Sequence, residues 1–152
     1  MATRSNIAYK TPEGKIRSVY CHWDGYPAHN GEMLVRYYQQ ARKIAQLVEM
    51  GQISILDEDV FPTPNSGHSF DSPEEGVTVF YGRDRGETLV GTKEFDDIPS
   101  WIDDMEEYAY LWNGQEWLVN DHGERDANGF PIFNRVEDVV TDAQREMMGW
   151  DK

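Results

Sequence analysis

Two histidines and an aspartate lie close together in the segment "YCHWDGYPAHNG", residues 20–31. His22, Asp24 and His29 carry imidazole and carboxylate groups, which are common ligands of divalent transition metals. Their spacing matches no metal motif, and no fourth ligand is evident nearby. A capped turn, in which Asp24 binds backbone amides and Gly25 has a positive φ, explains the segment better. We therefore predict no metal and no cofactor.

A second cluster of charged groups is "YGRDRGE", residues 81–87. If the preceding strand "VTVFYG" continues into it, Arg83 and Arg85 share one face, where two guanidinium groups can hold a phosphate or carboxylate. Asp84 and Glu87 would then orient the arginines or act as acid and base. The alternative is a charge-balanced hairpin rim, whose surface ion pairs contribute little to stability.

If both segments lie at the same end of a sheet, they form one pocket for a nucleotide or another small phosphorylated ligand. Trp23 or Tyr26 would provide a stacking wall. The predicted ligand-binding residues are His22, Trp23, Asp24, Tyr26, His29, Arg83, Asp84, Arg85 and Glu87.

Residues 94–107, here called the acidic band, contain seven carboxylates and no Lys or Arg. A row of carboxylates beside exposed aromatic side chains can bind a basic patch on a partner protein or imitate nucleic acid. Ordinary solvation of a charged surface is the alternative. The predicted partner-binding residues are Glu94, Asp96, Asp97, Trp101, Asp103, Asp104, Glu106 and Glu107.

No catalytic signature stands out elsewhere in the chain. The run Glu124-x-Asp126-x-Asn128-Gly129 is similar to half of a calcium loop, but its twelfth position is Arg135 instead of a bidentate glutamate. Phosphate-binding glycine loops, GxSxG and CxxC are absent from the sequence. Cys21 and His22 would point to opposite faces of a strand, so they do not form a nucleophile pair. A non-enzymatic protein is favoured.

Hydrophobic periodicity predicts an α+β fold: a mostly antiparallel sheet, one long packed helix and smaller helices in a single domain, residues 1–152. The predicted elements are strands at 3–9, 16–23 and 77–82, a helix at 31–50, a long loop at 57–76, a Tyr/Trp hairpin at 108–119 with a two-residue Asn113-Gly114 turn, and a C-terminal extension at 120–152 with a helix at 135–148.

Composition narrows the class of partner. The 152 residues carry a net charge of −14, with +3 in residues 1–50 and −17 in residues 51–152. Such a field repels nucleic acid and attracts basic proteins. No apolar run approaches the roughly 20 residues that cross a bilayer, and the N-terminus lacks the apolar region of a signal peptide. The single cysteine, Cys21, excludes an internal disulfide. An intracellular protein without membrane or nucleic-acid partners is expected.

Four segments, "TRSNIA", "YCHWDGYPAHNG", "FYGRDRGE" and "EYAYLWNGQEWLV", occur in this order. Together they resemble a family of small, uncharacterised accessory proteins encoded by tailed bacteriophages, over roughly residues 3 to 119. The resemblance implies expression in the cytoplasm of an infected bacterium, as an accessory protein and not a virion component. By analogy with small acidic phage proteins, it implies binding and inhibition of a host or defence protein.

Two functions follow. The first is an acidic phage protein that binds and inhibits or redirects a host or defence protein with a basic surface, without catalysis. The alternative is a protein for nucleotides or phosphorylated small ligands, either a signal sponge or a phosphoester hydrolase that uses His22 and Arg83.

Overall fold

The computed structural model describes residues 2–150, in which strands and short helices alternate along the chain. Met1, Asp151 and Lys152, the ends of the predicted domain, lie outside the described residues. The strands are β1 (Ser5–Lys10), β2 (Ile16–Trp23), β3 (Ile53–Ile55), β4 (Val79–Phe80), β5 (Lys93–Phe95), β6 (Tyr108–Trp112), β7 (Trp117–Asp121) and β8 (Asn134–Arg135). The helices are α1 (Glu32–Tyr37), α2 (Ala41–Glu49), α3 (Tyr81–Arg85), α4 (Ile98–Asp103), α5 (Val136–Val139) and α6 (Asp142–Met147), with a π-helical turn at Pro27–Gly31 before α1.

All described strands belong to one sheet. Its order is β4-β3-β2-β1-β6-β7-β8, with β5 paired to β2 outside this path. Within residues 2–150, the β1–β6 and β2–β3 pairs are parallel and the other pairs are antiparallel. A parallel neighbour needs a crossover connection, which α1 and α2 provide between β2 and β3. The predicted α+β class and mostly antiparallel sheet are confirmed.

Strand alternation places a hydrophobic core on each face of the sheet. Val19 and Cys21 of β2 pack on the larger face with Ile44 and Leu47 of α2. Ile16, on the opposite face of the same strand, packs with Trp101 of α4. The side-chain period of two residues in a strand accounts for this division. Side chains with even and odd numbers in β2 therefore serve different surfaces of the molecule.

The predicted long helix at 31–50 is wrong, because the chain leaves the helical conformation at Tyr38 (φ −127°, ψ 69°). The Trp117 indole N–H donates to the Tyr38 carbonyl (2.7 Å), which in a continuous helix would accept from residue 42. The Tyr38 hydroxyl donates to the Asp57 carbonyl (2.6 Å) while its ring is fully buried. The break thus joins the helices to the sheet and to the loop after β3.

Two other predicted elements differ from the structure. The C-terminal helix is divided into α5 and α6, because Thr141 leaves the helical conformation and caps α6 with Gln144 in a capping box. Val136 and Val140 are buried, whereas Met147 is exposed. The hairpin of β6 and β7 is present, but Trp112 pairs with Trp117, so four residues and not two form its turn.

The region between β3 and β4 contains no helix and no strand beyond one isolated bridge, Asp59 with Val77. The predicted strand at 77–82 is reduced to β4, after which Tyr81 begins α3. No helix among residues 2–150 is long and apolar enough to span a membrane.

Candidate functional site

The 20–31 segment forms a buried junction between the N-terminal strands and β6. A Cβ atom on Gly25 would lie 2.8 Å from the Ser5 Cβ and 2.9 Å from the Thr3 carbonyl oxygen, so only glycine fits. The Tyr110 hydroxyl donates to the Gly25 carbonyl (2.6 Å). The fully buried Asn30 donates to the Ser5 hydroxyl (3.2 Å). Much of this motif is therefore needed for packing.

The turn differs in detail from the predicted capped turn. Asp24, and not Gly25, has the positive φ (57°). The Asp24 backbone carbonyl, and not its side chain, accepts from the Asn30 N–H (3.2 Å). Glycine is required at position 25 because two segments of the chain, around Gly25 and around Arg4, lie very close together. It is not required for its dihedral angles.

The two histidines of the segment have different surroundings. His22 lies on the β2 face that also carries Tyr20, whose hydroxyl is 2.6 Å from its Nδ1. His29 lies beside the C-terminal region, with its ring 6.5 Å from that of Trp150. Among residues 2–150, no group of three or more His, Cys, Asp or Glu side chains is placed to hold a metal ion.

The remaining aromatic residues of the segment also have separate contacts. Trp23 is 39 % exposed and packs edge-on against His22 (4.8 Å between ring centroids). The Tyr26 hydroxyl reaches the Met148 sulfur at 4.0 Å. Trp23 and Tyr26 therefore contact different parts of the protein, and the prediction that one of them stacks on a ligand stays a prediction.

Arg83 lies in a short helix and not in a strand, so the prediction that Arg83 and Arg85 share a strand face is wrong. The Arg83 guanidinium donates to the carbonyls of Val60 (2.5 Å) and Thr78 (2.8 Å). It also donates twice to the Asp84 carboxylate, at 2.7 and 3.0 Å. The protein's own atoms occupy the donors that a phosphate would need. Arg83 therefore fastens the loop between β3 and β4 to α3.

His68 completes this arrangement, and Arg83, Asp84 and His68 are here called the Arg83 cluster. The Glu74 N–H donates to His68 Nδ1 (2.9 Å), so the proton of the neutral ring lies on Nε2, 3.1 Å from the Asp84 carboxylate. Burial by itself raises the pKa of Asp84, but hydrogen bonds from Arg83, the Phe80 N–H and His68 outweigh it and lower that pKa.

Arg85 and Glu87 remain at the surface. The Arg85 side chain is 55 % exposed, with its Nε 3.7 Å from the Glu87 carboxylate. Its guanidinium lies over the Phe70 ring at 4.8 Å. Within residues 2–150, no hydrogen bond, ion pair or ring contact joins the predicted ligand-binding residues of 20–31 to those of 81–87. The predicted ligand-binding residues of the two segments are therefore not in direct contact with one another, and the single pocket stays a prediction.

Basic side chains from outside the acidic band, most of them distant in the sequence, neutralise much of it. Five of its seven carboxylates form ion pairs. These pairs are Glu94 with Arg17, Asp96 with Lys15, Asp103 with Arg125, Asp104 with Lys93 and Glu106 with Arg4. Asp97 caps α4 by accepting from the Ser100 N–H (2.9 Å). Glu107 accepts from the Arg4 N–H (2.9 Å).

Trp101 is not an exposed aromatic residue of the acidic band. It is 1 % exposed, and its indole N–H donates to the Ser18 hydroxyl (2.8 Å). Its ring stacks on Phe133 at 6.3 Å. Trp101 therefore belongs to the smaller hydrophobic core, and the expectation that it contacts a partner is corrected.

The loop at 57–76, here called the acidic loop, is the surface that the charge analysis missed. It has six carboxylates and no Lys or Arg, a signal already visible in the sequence. Within the described part of the chain, none of the six forms an ion pair. The six are Asp57, Glu58, Asp59, Asp71, Glu74 and Glu75. The acidic loop therefore presents more unbalanced negative charge than the acidic band.

Comparison with models of known protein families finds no match to this chain. Neither a curated protein nor a solved structure matches it. The resemblance to a family of tailed-bacteriophage proteins therefore stays a prediction.

Proposed function

We propose that this chain is a non-enzymatic binding protein that attaches to a basic surface of a partner protein. The observation that carries the proposal is the acidic loop, whose six carboxylates have no cationic partner in the described structure. In agreement with the phage resemblance, the partner is a host or defence protein of an infected bacterium, and binding inhibits or redirects it in the cytoplasm.

The Arg83 cluster supports this proposal, because it fixes a segment that has no regular secondary structure. Arg83 contacts the Val60 carbonyl, and His68 accepts from the Glu74 N–H, so both halves of the acidic loop are attached to α3. A loop that is ordered before binding loses less conformational entropy when the complex forms. Phe61, 55 % exposed, adds an apolar contact among the carboxylates.

The proposal is tested by affinity capture with the tagged full-length chain from a lysate of the infected bacterium. We expect one basic protein in near-stoichiometric amount, released as the salt concentration rises, because salt screens exposed charges. The triple variant Asp59→Asn, Asp71→Asn, Glu75→Gln is expected to bind about tenfold more weakly, if each lost surface pair contributes about 0.5 kcal/mol.

A matched control removes the same charge from other exposed positions: Glu13→Gln, Glu124→Gln and Glu146→Gln. The quadruple variant Asp103→Asn, Asp104→Asn, Glu106→Gln, Glu107→Gln tests the acidic band separately. Weaker capture by the loop variant than by the control supports the proposal. Undiminished capture by both the loop and the band variants refutes it.

The alternative function, binding or hydrolysis of a phosphorylated small ligand, gains no support from the geometry. The Arg83 donors are already bound to Val60, Thr78 and Asp84. His22 is bound to Tyr20. An experiment in which a nucleotide co-purifies with the protein would favour this alternative over the binding protein proposed above.

A further inference from the structure

The outer edge of β2 is shared by two different strands. β5 pairs with residues Ile16–Ser18, and β3 pairs with Cys21 and Trp23. Between them, Val19 and Tyr20 have no strand partner on this side among the described residues. A cavity of about 280 Å³, here called the β2 cleft, opens where the two strands separate. Its size is near the lower limit of small-molecule sites in proteins.

The walls of the β2 cleft combine aromatic, amide and acidic groups. Its lining residues include the aromatic residues Tyr20 and Phe95 and the acidic residues Asp104 and Glu106. Gln52 is another lining residue, and its side-chain amide has no hydrogen-bond partner within residues 2–150. Burial raises the pKa of Tyr20 to about 12, and its hydroxyl is already hydrogen-bonded to His22 Nδ1 (2.6 Å), so Tyr20 offers a ligand mainly its ring.

We propose that the β2 cleft binds a guanidinium group, specifically an arginine side chain of the basic partner. A guanidinium has several planar donors for carboxylates and an amide oxygen, and it stacks favourably on aromatic rings. The lining provides each of these groups at one place. The inference that the arginine belongs to a basic partner protein rests on the proposed function. The inference that the cleft binds a guanidinium group does not.

The cations already near the cleft do not prevent this binding. Lys93 is 3.3 Å from Asp104, and Arg4 is 3.5 Å from Glu106. The Lys93 and Arg4 side chains are 65 % and 53 % exposed. Ion pairs that are so exposed contribute little free energy, so an incoming guanidinium can replace them at low cost. The cleft therefore offers the carboxylates of Asp104 and Glu106 to a new cation once the Lys93 and Arg4 side chains move into solvent.

The test is an NMR titration of the isotope-labelled full-length protein with N-acetyl-arginine amide. We expect saturable shifts of the backbone amides of Tyr20, Gln52 and Gly91, with Kd on the order of millimolar for so small a ligand. The matched probe is N-acetyl-citrulline amide, which has nearly the same shape and no charge. It is expected to produce no saturable shifts at the same concentrations.

Glu106→Gln is expected to weaken arginine binding about tenfold, since a hydrogen bond to a charged group is lost. The Glu106 side chain contacts only Arg4 in the described ion pairs, so the variant should fold normally. Glu146→Gln, which makes the same charge change on exposed α6, is the control and should leave the affinity unchanged. Equal binding of the citrulline probe, or unchanged arginine binding by Glu106→Gln, would overturn the proposal.

The two proposals fail separately. If arginine binds in the cleft but no basic protein is captured, the cleft is a guanidinium site and the proposed function is refuted. If a basic protein is captured equally well by the wild type and by Glu106→Gln, and arginine causes no NMR shifts, the proposed function is supported. The proposal that the cleft binds a guanidinium is then refuted.

Discussion

Replacing Arg83 with alanine tests whether this residue is a structural fastener or a ligand-binding group. The Arg83 side chain is 21 % exposed, and that of its partner Asp84 is 3 % exposed. In Arg83→Ala, the Asp84 carboxylate keeps only the Phe80 N–H and His68 as partners. Leaving one charge of a buried pair uncompensated costs about 3 kcal/mol, at the lower end of measured values.

The assay is urea unfolding followed by tryptophan fluorescence, combined with hydrogen exchange at single amides. We expect the unfolding free energy of Arg83→Ala to fall by about 3 kcal/mol. The amide of Phe70, which donates to the Asp84 carbonyl (3.0 Å), should exchange faster than in the wild type. The amide of Glu74 should do the same, because it donates to His68.

Arg85→Ala is the matched control, since it removes the same side chain from a position two residues away. Its exposed pair with Glu87 is long, at 3.7 Å. We expect a loss below about 0.5 kcal/mol. If Arg83→Ala and Arg85→Ala lower stability equally, or if the acidic loop exchanges at the same rate in both, Arg83 is not the fastener described here.

Two further changes test the junction and the Arg83 cluster. Gly25→Ala should lower the unfolding free energy by about 2 kcal/mol, because the added methyl group meets the Thr3 carbonyl and the Ser5 side chain. The midpoint of thermal unfolding should fall as well. A midpoint equal to that of the wild type would contradict the close approach. The pKa of Asp84 is lower in the folded state than its ordinary value of 3.8. The ionised Asp84 carboxylate therefore stabilises the fold at pH values above 3.8, and this stabilisation is lost as the pH falls below 3.8. The difference in unfolding free energy between the wild type and Asp84→Asn should therefore shrink in acid, and a constant difference down to about pH 2 would contradict the assigned direction.

The elements that depend on local pattern could be predicted from the sequence. β2 begins and ends as expected, and the Tyr/Trp hairpin is present, because alternation and turn residues act over a few positions. The predicted helix at 31–50 failed for a non-local reason. The Tyr38 carbonyl is taken by Trp117, a residue 79 positions further along the chain, and no local periodicity contains that bond.

The candidate site shows the same limit. Arg83 and Trp101 have residue types that suit ligand or partner binding, yet both are hydrogen-bonded within the protein. Arg83 donates to the Val60 and Thr78 carbonyls, and the Trp101 indole donates to the Ser18 hydroxyl. The cations that neutralise the acidic band also come largely from distant positions. The acidic loop and the acidic band both lack Lys and Arg in the sequence, and only the structure shows that the band is paired with cations while the loop is not.

The position of β1 at the centre of the sheet has a consequence for synthesis of the protein. Its first edge pairs with β2 in a hairpin that can form as soon as residue 23 has emerged. Its second edge pairs with β6, where Ser5 lies opposite Tyr108, so this pairing cannot form before Tyr108 has been synthesised. Until then β1 presents unpaired backbone groups, which other chains can bind. We infer that the nascent protein is most prone to aggregation while residues 24–107 are being made, and that folding is completed late by closure of the β1–β6 pair.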